Sequence, residues 1–152
     1  MAKEHWTWRC DRTIPSDTGA GRAVLDELLR QLQACHWVEH DVFDVHLATE
    51  EALVNAIKHG NRFAPDRRVR IRCRLSDELI RIEITDEGEG FDPSKLPDPT
   101  NPDRLESPGG RGVMLMKAFM SRVEYNATGN SVVLEKRCGR DACLPRNNDP
   151  AD

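Results

Sequence analysis

The sequence predicts an α+β fold, a two-layer sandwich in which helices cover one face of a mostly antiparallel sheet. The first observation is the order of segments along the chain: a strand, two helices, two strands, a long loop, a helix and two more strands. The second is that the later strands come in pairs joined by short turns, and strands joined in this way are antiparallel. Helices grouped apart from such a sheet pack on one of its faces.

Length and composition favour a single soluble domain. The chain has 152 residues and a formal charge of -4, and it lacks a run approaching the roughly 20 apolar residues of a membrane span. A negative chain has no basic field to attract nucleic acid, and the N-terminus lacks the apolar stretch of a signal peptide. We expect one domain over residues 1–137, a disordered polar tail over 138–152, a cytoplasmic location, and direct contact with neither nucleic acid nor membrane.

The first strand and the first helix follow from their periodicity. The stretch "HWTWRCDRTI" alternates bulky and polar residues, as a strand packed on one side does. Pro15 and Gly19 indicate a turn, at which Ser16, Asp17 or Thr18 can cap a helix. The segment "AVLDELLRQLQACHW" then places its leucines at helical spacing.

The second helix and a strand pair come next. A helical period runs from about Val42 to His59, and Gly60 with Asn61 ends it, as such residues commonly do. The stretch "RRVRIRCRLSDELIRIEITDEG" alternates apolar and polar residues on both sides of "SDE", which predicts two antiparallel strands.

A long loop separates these strands from the last helix. Prolines at positions 93, 97, 99, 102 and 108 interrupt residues 92–108, and loops of such length are usually functional lids or disordered. The stretch "GGRGVMLMKAFMSR" resumes a helix, and "VEYNATGNSVVLEKR" predicts two short strands around a turn at Thr128 to Asn130.

One side of the second helix carries polar residues beside apolar ones. Glu51 and Asn55 are one turn apart on the same face, with Lys58 and His59 a turn further on. An asparagine oxygen suits Mg²⁺, and a carboxylate one turn away can accept a proton from a hydroxyl group that attacks phosphorus. Taken alone, however, such residues more often form a solvated polar face.

Two glycine-containing stretches have similar alternatives. In "ITDEGEGFDP" a strand ends at Asp86, whose carboxylate can accept a hydrogen bond from a base amine, or the stretch is only a turn. In "PGGRGVMLMK" glycines surround a helix start, where free N–H groups bind anions, or they only make the helix entry flexible. The second stretch does not match the GxxxxGK[ST] phosphate loop.

Together and in this order, "EEALVNAIKHG", "DEGEGFDP" and "GGRGVMLMK" resemble the N, G1 and G2 boxes of the GHKL ATPase family, and "GNSVVLEKR" resembles its closing strand. The resemblance implies the GHKL ATPase fold, shared by gyrase-type ATPases, heat-shock chaperones and histidine-kinase catalytic domains. Within the family the chain looks most like the anti-sigma-factor serine kinases of bacterial partner switching, because we see neither a histidine-bearing dimerisation helix pair nor a transducer domain.

The resemblance also implies roles for individual residues. Glu51 would be the general base, Asn55 would hold Mg²⁺, and Asp86 would bind the adenine amine of ATP. Gly88 and Gly90 would let the base approach closely. The groups around the phosphates would be Lys58, Gly110, Arg111 and Gly112, and residues 92–109 would form the ATP lid. Asn130 stands where the family usually has threonine, and its amide or the hydroxyl of Ser131 could bond a water that bridges to the base.

The implied function is an ATP-dependent serine/threonine-protein kinase that acts as an anti-sigma factor. It would transfer the γ-phosphoryl group to a serine or threonine of a small anti-anti-sigma partner of the STAS type, sequester a sigma factor, and form a homodimer. Two alternatives remain at this point. One is a nucleotide-binding module of partner switching without turnover, and the other is the detached catalytic domain of a histidine-kinase system.

Overall fold

The computed structural model describes residues 6–90 and 110–139. The expected lid, residues 92–109, and positions 140–152 of the expected tail lie outside these ranges. The helices and strands in chain order are β1 (Trp8–Pro15), α1 (Thr18–Ala34), α2 (Glu39–Val54), a π-helical segment (Asn55–Gly60), β2 (Arg68–Leu75), β3 (Leu79–Thr85), α3 (Gly110–Phe119), β4 (Arg122–Tyr125) and β5 (Ser131–Arg137).

The strands form one five-stranded sheet in the order β1-β2-β3-β5-β4, and every neighbouring pair is antiparallel. On β2 the burial alternates, so Val69, Ile71 and Cys73 face the core while the arginines between them are exposed. This alternation is the pattern of a sheet with one face on the core. The prediction of an α+β fold with a mostly antiparallel sheet is therefore confirmed.

The core lies between the sheet and the three α-helices. It is built from buried aliphatic side chains of both layers, including Leu25, Leu28, Leu32, Ile57, Ile71, Ile80, Ile82, Met116 and Leu134. In the described part of the chain, none of the helices is long and apolar enough to cross a membrane.

Helix α1 begins earlier than the leucine pattern predicts. Its N-cap is Asp17, whose side chain accepts a hydrogen bond from the backbone N–H of Ala20 at 2.9 Å, and Gly19 lies inside the helix rather than in a turn. Gly21 is also helical, and a Cβ there would lie 3.2 Å from the side chain of Ile57. Its missing side chain lets α1 approach the π-helical segment closely, a reason that the sequence pattern does not contain.

Helix α2 starts at Glu39, also before its predicted start, and its regular turns end at Val54. From Asn55 to Gly60 the helix widens to π geometry, and the N–H of Asn61 donates to the carbonyl of Ala56 at 2.8 Å. Such single π turns inside or after α-helices occur frequently at functional sites. The widened turn carries two of the residues predicted to bind a ligand, Asn55 and Lys58.

Candidate functional site

A cavity of about 330 Å³ opens beside the π-helical segment. Its walls are the end of α2 with the π-helical segment, the turn after β3, and the turn between β4 and β5. The residues that line it are Ala52, Asn55, Ala56, His59, Gly60, Arg62, Ile84, Asp86, Gly90, Tyr125, Gly129, Asn130, Ser131 and Val132. Five of the residues predicted from the sequence to bind a ligand are among them.

Asn55 presents a polar group to this cavity. Its Nδ2 atom is buried and makes no hydrogen bond of standard geometry among the described residues, although the side chain of Tyr125 lies close enough to interact with it. A buried polar atom that no protein group satisfies is costly, and its presence is usually explained by a ligand, an ion or a water. Because an amide flip exchanges oxygen and nitrogen, Asn55 can present either an acceptor or a donor there.

Asp86 lies at the end of β3 with only 8% of its surface exposed. Its backbone N–H donates to the carbonyl of Asn130 at 2.8 Å, and its Oδ1 accepts from the N–H of Gly88 at 2.7 Å. Burial raises the pKa of the Asp86 carboxyl, and the Gly88 hydrogen bond and the charge of Arg67 oppose that rise. A carboxylate in this position can accept a hydrogen bond from a ligand that enters the cavity.

The turn after β3 packs tightly against two other segments. A Cβ on Gly60 would overlap the carboxylate of Asp86, with its Cγ at 2.5 Å, and one on Gly88 would lie 2.6 Å from the backbone carbon of Gly60. Gly90 has a φ of 78°, and a Cβ there would lie 2.8 Å from the backbone of Thr128. Gly88 and Gly90 thus allow close packing against the backbone of Gly60 and Thr128. Of these two glycines, only Gly90 lines the cavity.

The turn between β4 and β5 braces the same site. The Nδ2 of Asn130 donates to the carbonyl of Asp86 at 3.2 Å, while its Oδ1 accepts from Asn126 at 2.8 Å. The hydroxyl of Ser131 shares a 2.7 Å hydrogen bond with that of Thr85. Asn130 therefore contacts the backbone of the residue predicted to bind the base.

Glu51 lies outside the cavity lining, against the first turn of α3. A Cβ on Gly112 would meet the Glu51 side chain, with its Cγ at 2.8 Å and its Cδ at 2.9 Å. The first turn of a helix carries free N–H groups and partial positive charge, which attract anions. The structure thus brings Glu51 next to the predicted anion site at the start of α3, one helical turn from Asn55.

The remaining predicted residues are placed as follows. Gly110 is the first residue of α3, and the side chain of Arg111 is outside the described part of the structure. Lys58 is exposed on the π-helical segment and is not among the residues that line the cavity.

Tyr125 and Arg62 are two of the cavity residues that were not singled out from the sequence. Tyr125 enters from β4, and burial raises its pKa to about 12; its contact with Asn55 opposes the rise, whereas the charges of Asp86 and Glu51 add to it. Arg62 follows the π-helical segment with a φ of 54°, which is unusual for a residue other than glycine. Nothing in the local sequence signals either role, because both depend on how distant segments pack.

The chain is similar to known proteins over most of its length. The model of one protein family, described as the histidine kinase-like ATPase domain, matches residues 14–136. The chain is 28% identical over 118 residues to a serine-protein kinase RsbW of Oceanobacillus iheyensis, covering 74% of this chain and 73% of the relative. It is 32% identical over 106 residues to an anti-sigma F factor of the same species, covering 66% of this chain and 72% of that relative.

The fold is similar to a crystal structure of the RsbU and RsbW domains of a protein from Mycobacterium tuberculosis. The TM-score is 0.56 at 17% sequence identity, and the match covers 86% of this chain and 32% of that one. The chain therefore spans about a third of that longer protein, and the likeness concerns the fold.

Proposed function

Because the chain belongs to the family of histidine kinase-like ATPase domains, we propose that it is an ATP-binding serine/threonine-protein kinase that acts as an anti-sigma factor. The family is the one that the three sequence motifs resembled. The relatives named as serine-protein kinase and anti-sigma F factor support this assignment. The observation that carries it is the position of Glu51, whose carboxylate lies beside the first turn of α3, one turn along the helix from Asn55 in the cavity.

We assign the two ends of the site to the two ends of ATP. The adenine would enter the cavity, where Asp86 accepts a hydrogen bond from the exocyclic amine and Asn130 holds the backbone of Asp86. The phosphates would extend toward the first turn of α3, whose N–H groups have no partner within the helix. Lys58 and Arg111 are proposed to reach the phosphates, as the family resemblance implies.

Asn55 is proposed to bind Mg²⁺. Its buried Nδ2 makes no hydrogen bond of standard geometry among the described residues, and an amide flip would place the side-chain oxygen there. That oxygen fits an ion that takes few protein ligands and completes its shell with phosphates and water. The described residues contain no group of three or more His, Cys, Asp or Glu side chains suited to a metal, so the ion would depend on the nucleotide for binding. When bound, Mg²⁺ neutralises charge that develops on the phosphates.

Glu51 is proposed to act as the general base. Its carboxylate would accept the proton of a serine or threonine hydroxyl of the substrate as the oxygen attacks the γ-phosphorus, and ADP would leave with the displaced electron pair. Most of the rate enhancement would come from positioning and charge neutralisation. Because the reaction consumes ATP, we place it in the cytoplasm.

The partners are proposed from the relatives and from the resemblance. The phosphoryl acceptor would be a small anti-anti-sigma protein of the STAS type, and the sequestered protein would be a sigma factor. We further propose a homodimer. Size-exclusion chromatography with light scattering tests the dimer, and a monomer at micromolar concentration would contradict it.

The test of the proposed function compares Glu51→Gln with Glu50→Gln. Glu50 is the neighbouring acid, but its carboxylate faces His46 at 3.5 Å and Arg22 at 3.7 Å instead of α3. The purified protein, Mg²⁺ and γ-labelled ATP are added to a lysate of the source organism, and label on small proteins is followed. Removal of a general base typically costs about 10²-fold to 10⁴-fold in rate, so Glu51→Gln should lose transfer while Glu50→Gln keeps it.

Binding of a fluorescent ATP analogue, measured in parallel, separates the alternatives. We expect both variants to bind nucleotide with the affinity of the wild type. Nucleotide binding without transfer by the wild type would favour the binding module. Phosphohistidine in place of phosphoserine or phosphothreonine would favour the detached domain of a histidine-kinase system.

A further inference from the structure

Asn61 follows the π-helical segment and is fully buried, with 0% of its surface exposed. Its side chain makes three hydrogen bonds. Nδ2 donates to the hydroxyl of Ser16 at 2.9 Å and to the carbonyl of Arg68 at 3.0 Å, and Oδ1 accepts from the backbone N–H of Glu87 at 2.8 Å. Because one partner is an N–H and another is a carbonyl, the amide can adopt only this orientation.

These bonds join three separate segments of the chain. Ser16 follows β1 and donates to the carbonyl of Arg67 at 2.6 Å, Arg68 starts β2, and Glu87 belongs to the turn after β3. Glu87 lies between Asp86 and Gly88, so its N–H belongs to the peptide that directly follows Asp86. Asn61 therefore anchors that peptide. The preceding peptide is held separately, because the backbone N–H of Asp86 donates to the backbone carbonyl of Asn130.

The backbone after Asn61 is strained. Arg62 and Phe63 have φ values of 54° and 59°, in the left-handed region that residues other than glycine rarely occupy. The N–H of Phe63 donates to the carbonyl of Ile57 at 2.9 Å, and that of Ala64 donates to the carbonyl of Asn61 at 2.9 Å. Such conformations persist only where the surroundings impose them, and they cluster at functional sites. Here the strained turn directly follows Asn61, whose side-chain amide lies in the interior.

We propose that Asn61 is a positioning residue for nucleotide binding. It holds the turn of Asp86, Glu87 and Gly88 against Gly60, so that the Asp86 carboxylate has the position required to accept the amine of adenine. This role rests on the proposed function, since it presumes that adenine binds at Asp86. Asn61 itself does not line the cavity and acts only through the turn.

The decisive comparison is between Asn61→Ala and Ser16→Ala. Both remove hydrogen bonds from the same buried network, but Ser16→Ala leaves the bond from Glu87 to Asn61 intact. Asn61→Ala should weaken ATP binding by about 10-fold to 100-fold, the loss expected when a hydrogen bond to a charged group is disturbed. Ser16→Ala should lower the Tm yet leave the Kd within about twofold of the wild type.

A third variant, Asn61→Asp, addresses the possibility that Asn61→Ala does not fold. It keeps the shape and the acceptor for the Glu87 N–H but loses the donors to Ser16 and Arg68. It should keep ATP affinity better than Asn61→Ala does, even though it is less stable than the wild type. The Kd is measured by titration of a fluorescent ATP analogue, on protein that circular dichroism shows to be folded.

The outcomes separate this inference from the proposed function. An unchanged Kd in folded Asn61→Ala, or an equal rise in Kd for Ser16→Ala and Asn61→Ala, would overturn the positioning role alone. A Kd in folded Asn61→Asp as weak as that of Asn61→Ala would do the same. A wild type that binds no ATP would overturn the proposed function and this role with it.

Discussion

Asp86 is buried, yet the proposed function needs its carboxylate in the charged form. Burial raises the pKa of this carboxyl in the folded protein, although the Gly88 hydrogen bond and Arg67 counteract part of the rise. The folded state therefore binds a proton at Asp86 more readily than the unfolded chain does. By linkage, the ionisation of Asp86 lowers the free energy of unfolding as the pH rises from the unfolded pKa, roughly 3.9, through the raised folded pKa.

Asp86→Asn is therefore expected to be more stable than the wild type at neutral pH and to lose ATP binding. The neutral amide avoids the cost of a buried charge, and its oxygen still accepts from Gly88, but it no longer attracts the adenine amine as a carboxylate does. The gain in Tm should shrink as the pH falls through the raised folded pKa and vanish below about pH 3.9, where both states are protonated.

The measurement is a series of thermal melts across this pH range, together with nucleotide titrations at neutral pH. Asp77→Asn, which changes an exposed acid between β2 and β3, is the control and should alter neither property. A Tm of Asp86→Asn below that of the wild type at neutral pH would contradict the prediction.

Strand β2 exposes four arginines, and the structure gives them unequal environments. Arg70 donates twice to Asp11, at 3.0 and 2.8 Å, and Arg72 lies 3.6 Å from Glu83. Arg74 instead has Arg9 opposite it on β1 and Arg81 opposite it on β3. Like charges directly opposite each other across strands are destabilising.

Arg74→Thr should therefore stabilise the protein. Arg81 is already paired with Glu135 at 3.3 Å, so removing the middle charge mainly relieves repulsion with Arg9. Threonine also has high strand propensity, and together these effects should add about 0.2–1 kcal/mol to the free energy of unfolding. Because exposed charges are screened, the gain should decrease at high salt. Urea titrations at two salt concentrations measure it.

Arg70→Thr is the matched variant, because it changes the same residue type on the same strand but removes the contacts with Asp11. It should not stabilise the protein. If both variants shift the unfolding midpoint equally, strand propensity rather than charge explains the effect.

The two layers of the molecule are joined by a buried charged cluster. Lys136 on β5 donates to Asp44 at 3.0 Å and to the carbonyl of Phe119 at 2.7 Å, and its Nζ lies 3.9 Å from Asp41. Both aspartates belong to α2 and are only 4% exposed, and Asp41 also accepts from the N–H of Gly139 at 2.8 Å. One cation thus links α2, the end of α3 and strand β5 of the sheet.

Lys136→Met should lower the free energy of unfolding by about 3–5 kcal/mol, because it leaves two carboxylates buried without their cation. Denaturant titration measures the loss. Lys117→Met, at an exposed position of α3, should change stability by less than about 0.5 kcal/mol. The double variant Asp44→Asn with Lys136→Met should recover part of the lost free energy of unfolding. If it recovers none, packing of the lysine stem rather than the buried charge is responsible for the loss.

The sequence by itself determined those features that depend on residues close together in the chain. The alternation of arginines with Val69, Ile71 and Cys73 predicted a strand with one buried face, and the one-turn spacing of Glu51 and Asn55 predicted their common side of the helix. These inferences succeed because strand and helix periods repeat within a few residues. The order of the three motifs was also sufficient to identify the family.

Only the tertiary structure decided which distant groups meet. The sequence pattern ended the second helix at Gly60 and Asn61, but it could show neither the π-helical turn nor the burial of the Asn61 side chain against Glu87. It likewise gave no sign that Tyr125 enters the cavity. These features depend on antiparallel pairing and on the packing of helices against the sheet, which join residues far apart in the chain and leave no local period in the sequence.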